Sequence, residues 1–69
     1  MVTVSKEYLD GIVDGREYLN RFKPNLEETR RILANIRETM HMFSPGPVKD
    51  SLKGERDFWI NQIKKAELK

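Results

Sequence analysis

Asn25-Leu26-Glu27-Glu28-Thr29-Arg30-Arg31-Ile32-Leu33-Ala34-Asn35-Ile36-Arg37-Glu38-Thr39-Met40-His41-Met42-Phe43 is the stretch that decides the fold. Pro24 precedes it, which removes a backbone donor and disfavours a helical conformation at Lys23. Asn25 is a good N-cap, and Glu28 three residues later completes a capping-box pattern. Thr29, Ile32, Leu33, Ile36, Met40 and Phe43 recur at helical spacing and share one narrow face. Glu27, Arg31, Asn35 and Glu38 fall opposite, with Glu27 and Arg31 placed for an i,i+4 pair. The spacing predicts a helix over 26–43.

Working outward, Ser44-Pro45-Gly46-Pro47 is the second breaker, and helical periodicity resumes on both sides of the central stretch. Upstream, Ser5 is a suitable N-cap for a helix over 6–22. Tyr8, Ile12, Gly15, Leu19 and Phe22 line its apolar side; Leu9 and Val13 widen that side on one flank. Two Asp-Gly pairs, Asp10-Gly11 and Asp14-Gly15, weaken it, since each glycine costs a helix about 1 kcal/mol relative to alanine. Downstream, Asp50 or Ser51 can cap a helix over 51–66, with Leu52, Trp59, Ile63 and Ala66 on one face. Phe58 and Ile60 fall outside that stripe.

No segment shows the alternation of a strand, so the fold class is all-α: one small helical domain spanning 1–69, built from three helices. The tight Lys23–Asn25 joint predicts that the first two helices are antiparallel neighbours. Two arrangements close the core. One is a small helical bundle within a single chain; the other is an open helical array completed by dimerisation. A core of this size supplies only about 3–5 kcal/mol. The bulky residues off the stripes, Leu9, Val13, Phe58 and Ile60, therefore either finish that core or meet a partner.

Composition excludes several function classes. There is no cysteine, hence no disulfide framework and no thiolate zinc site. No apolar run approaches the ~18 residues of a membrane span. The start, Met1-Val2-Thr3-Val4-Ser5-Lys6-Glu7, lacks the basic and apolar regions of a secretory leader, so a cytoplasmic location with no membrane partner is expected. His41 is the only histidine; Ser44, His41 and Asp50 make a formal triple, but no nucleophile elbow, phosphate loop or dinucleotide fingerprint accompanies it. Glu38-x-x-His41 has the spacing used in bundle metal sites, yet both residues lie off the apolar face. Neither catalysis, metal nor cofactor is expected.

What remains is binding. Gly11-x-x-x-Gly15 has the spacing that lets another backbone approach closely, whether its own or a partner's. With Leu9, Val13, Phe58 and Ile60, these glycines form the expected partner-binding set for a protein partner or for a homodimer. Glu7, Asp10, Asp14 and Glu17 form an acidic face that could imitate a row of phosphates. The alternative class is a nucleic-acid-binding accessory protein. The formal net charge is +2, and the whole excess lies in residues 44–69, with six basic and four acidic residues. Lys49, Lys53, Arg56, Lys64 and Lys65 there, with Arg30 and Arg37 of the central stretch, are its candidate phosphate contacts.

Lys6-Glu7-Tyr8-Leu9-Asp10-Gly11-Ile12-Val13-Asp14-Gly15-Arg16-Glu17-Tyr18 resembles the Tyr-x-x-Gly-x-x-x-Gly-Arg openings of small phage and prophage early-region proteins. The resemblance covers 13 of the 69 residues. It implies a short, non-catalytic protein that binds and modulates or inhibits a host protein complex. It assigns no site residue and no particular target.

Overall fold

The computed structural model of the protein describes residues 4–68. Lys69, one of the basic residues of the last third, lies outside them. Three helices make up the fold: α1 (Lys6–Phe22), α2 (Leu26–Met40) and α3 (Pro47–Glu67). The fold is the small all-α bundle that the periodicity predicts.

The caps set the first two helices. Ser5 Oγ accepts from the Tyr8 N–H at 3.1 Å, and Asn25 Oδ1 from the Glu28 N–H at 2.8 Å. At the far end of α1, Lys23 takes a left-handed conformation (φ 46°) and its N–H donates to Leu19 O at 2.9 Å. That is the usual helix stop, here on a lysine because Pro24 forbids continuation.

The other two boundaries move. α2 stops at Met40 rather than Phe43. Over residues 41–43 the N–H groups reach back three residues, to Glu38, Thr39 and Met40. The last turn tightens in this way because Ser44-Pro45 cannot extend the helix. α3 begins at Pro47, four residues before the sequence expectation. A proline is suited to the first helical position, where its missing N–H would have no partner and its φ is already helical. What reads as a breaker is here a helix start, and Asp50 N–H donates to Gly46 O at 2.9 Å.

α3 is the central element. It packs against α1 on one side and α2 on the other, while α1 and α2 make no backbone approach to each other. The expectation of packed neighbours across Lys23–Asn25 is therefore corrected. α1 runs parallel to α3: Gly11 lies over Ser51 and Glu55, and Gly15 lies over Phe58. Both outer helices need the same partner, and α3 carries enough buried surface for two.

The core consists of Leu33, Ile36 and Met40 from α2 with Phe58 and Trp59 from α3. Ile12, Leu19, Ile32, Leu52, Ile60 and Ile63 close around it. Trp59 is 1% exposed, and the Phe58 ring meets its edge at 5.1 Å between centroids. Adjacent residues on a helix point about 100° apart. Both aromatics are buried because α3 is covered from two directions. Phe22 and Phe43, which the sequence places on buried stripes, sit at helix ends beyond the packed region and are exposed.

Candidate functional site

The six residues expected to meet a partner divide into two groups. Gly11, Gly15 and Phe58 are buried, and Ile60 packs against the core. Their occupant is the chain's own α3–α1 contact. A Cβ on Gly11 would collide with the carbonyl oxygen of Ser51, and one on Gly54 with that of Tyr8. The two glycines interlock, each giving the other helix's backbone room. One turn further on, a Cβ on Gly15 would stand 2.7 Å from Phe58 Cδ2. Gly54 is the member of this contact that the sequence reading missed. Its signal was the i,i+4 spacing Gly54–Phe58, which matches Gly11–Gly15 on the opposing helix.

Leu9 and Val13 are the second group. They lie one turn apart on α1, turned away from α3, and are 49% and 46% exposed. On one side they are flanked by Asp10, Asp14 and Glu17, all exposed. The acidity of this side extends to α3. Burial raises the pKa of the Glu55 carboxyl, and the negative charge of Asp14 raises it further.

The basic residues gather elsewhere. A crevice of about 380 Å³ between α2 and α3 is lined by Arg37, Met40, His41, Lys49, Arg56, Asp57 and Ile60. A second crevice, also about 380 Å³, runs between α1 and α3 and contains Arg16, Asp57 and Lys65. Asp57 borders both, so the two meet at its carboxylate. That carboxylate accepts from the Tyr8 hydroxyl and pairs with Arg56 Nε at 3.0 Å. The hydrogen bond to Asp57 is the main cause that raises the pKa of the Tyr8 phenol. Of the seven basic candidates, Arg37, Lys49, Arg56 and Lys65 line these crevices, whereas Arg30, Lys53 and Lys64 do not. Arg16 belongs to the group and was not a sequence candidate, because only the parallel packing of α1 on α3 brings it there.

The chemistry-bearing triple does not assemble into a common pocket. His41 lines the α2–α3 crevice, while the Asp50 carboxylate lies 3.4 Å from Ser5 Oγ as an acceptor. Glu38 and His41 are both exposed. Among the described residues there is no group of three or more His, Asp or Glu placed to hold a metal ion. Among them, too, no helix is long and apolar enough to cross a membrane. No family model, curated protein or solved structure matches the chain.

Proposed function

We propose that this chain is a non-catalytic protein–protein interaction module that docks through the outer side of α1. The observation that carries the reading is the pair Leu9 and Val13: two branched apolar residues one helical turn apart, half exposed, and outside the core cluster. In a chain whose other bulky off-stripe residues are enclosed, these are the ones left for a partner. Asp10, Asp14 and Glu17 beside them define its chemistry. The partner presents an apolar strip rimmed by basic residues, since like charges along the rim would repel. The phage-like opening over residues 6–18 points to a host protein in that role, with modulation or inhibition of its complex as the outcome.

Site-specific photo-crosslinking tests this. A photoreactive residue is introduced at position 9 or 13, with position 35 on exposed α2 surface as the control. The expected result is one discrete adduct from positions 9 and 13, absent from 35, and weakened when Asp10 and Glu17 are both replaced by Lys. Equal labelling from all three positions would remove the assignment. So would an adduct whose mass is only two copies of the 8.2 kDa chain, because the occupant would then be the chain itself.

A further inference from the structure

The two crevices beside Asp57 are not part of the apolar face of α1, and their charge is lopsided. Together they hold five permanent cations, Arg16, Arg37, Lys49, Arg56 and Lys65, and the His41 imidazole. Asp57 is the only carboxylate lining either of them. The formal charge there is thus +4, against +2 for the entire chain, so the rest of the molecule is net negative. Asp57 itself is engaged by Tyr8 and Arg56. Arg16, Arg37, Lys49 and Lys65 have no ion-pair partner among the described residues.

From this we infer that the face formed by the two crevices binds the phosphate backbone of a nucleic acid, without reading its bases. The cations come from all three helices and lie on both sides of α3. Neighbouring helix axes are 8–10 Å apart, so a strip crossing three helices extends roughly 16–20 Å. A single small anion reaches only one crevice, whereas a polymer with regularly spaced phosphates engages both. A flat anionic bilayer would touch the rims and leave the cations inside the crevices unmatched. Base reading needs side chains free to pair with or stack on bases. The one aromatic ring here with a polar edge, Tyr8, is tied to Asp57. Binding is therefore led by charge, and His41 adds to it when protonated.

Fluorescence anisotropy with the full chain and a short labelled DNA duplex tests the inference. Binding is expected to weaken roughly 100-fold between about 50 and 200 mM salt, as for about four neutralised phosphates. Replacing Arg16 and Arg37 together with Ala should reduce the salt slope by about 2, one for each phosphate no longer neutralised. Arg21→Ala with Arg31→Ala removes the same charge away from both crevices and should leave the slope unchanged. Asp57→Asn, checked by its melt for intact fold, should bind several-fold more tightly. Equal weakening by the two arginine pairs would overturn the site, since net charge alone would then account for binding. No binding at the lowest salt, or binding to phosphatidylserine vesicles in its place, would overturn the ligand. The docking face on α1 stands or falls separately, by crosslinking.

Discussion

At Gly11 and Gly54 a methyl group has nowhere to go. Each position faces backbone of the other helix, which cannot swing aside as a side chain can. Alanine at either should therefore destabilise by about 1–3 kcal/mol through overpacking, even though it gains about 1 kcal/mol of helix propensity. Gly46 is the control: its φ of 165° is extended backbone open to any residue, and a Cβ there meets nothing closer than 3.9 Å. Gly46→Ala should change stability by less than about 0.5 kcal/mol. Urea melts of the three variants check the ranking.

Glu55 makes a different residue-scale prediction. Its folded-state pKa is raised, from an ordinary value of 4.5, by burial and by Asp14. The folded protein thus holds this proton more tightly than the unfolded chain does. Its contribution to stability falls as pH rises from about the ordinary value through the raised one, and then levels off. Glu55→Gln should raise the melting temperature at neutral pH and have little effect below about pH 4. A thermal-melt series of both proteins against pH reads the difference. A constant gap at every pH would show that the charge of Glu55 is not its cause.

At the scale of the element, what was legible in the sequence depended on how local its cause is. The ends of α1 are written next to each other in the chain, in Ser5 and in Lys23-Pro24, and the expected span agrees with the observed one. The buried face of α2 was equally plain, because that helix packs on one side only and its stripe is narrow. α3 was harder for two physical reasons. Its start was obscured by Pro47, which ends helices when it sits inside them and favours them when it sits first. Its apolar residues form no single stripe, because two helices cover it from different directions. Phe58 falls outside any one face for that reason, and by sequence alone it passes for an interface residue. The binding surfaces follow the same rule. Leu9 and Val13 could be found from helical spacing within α1. The crevice cations could not, since Arg16, Arg37 and Lys65 lie on three different elements and meet only in the folded chain.

For the molecule as a whole, the division of labour is between inside and outside. The glycines interlock α1 with α3, and Phe58 and Trp59 join both outer helices to the centre. The small bundle has little stability to lose, about 3–5 kcal/mol for a core of this size. Its binding surfaces therefore carry residues the core does not use: an apolar pair beside acidic side chains on α1, and a cationic strip across α2, α3 and α1. This segregation rests on the core being complete within one chain, and Phe58 is where that is decided. Removing a buried phenylalanine side chain costs about 3–5 kcal/mol, and a carboxylate in its place adds the penalty of a buried charge. The most direct test is the far-ultraviolet circular dichroism melt of Phe58→Glu. The structure predicts that this variant has no cooperative helical transition at about 25 °C. A melt within a few degrees of the unaltered protein's, with only self-association or partner binding abolished, would contradict it and place Phe58 on an interface.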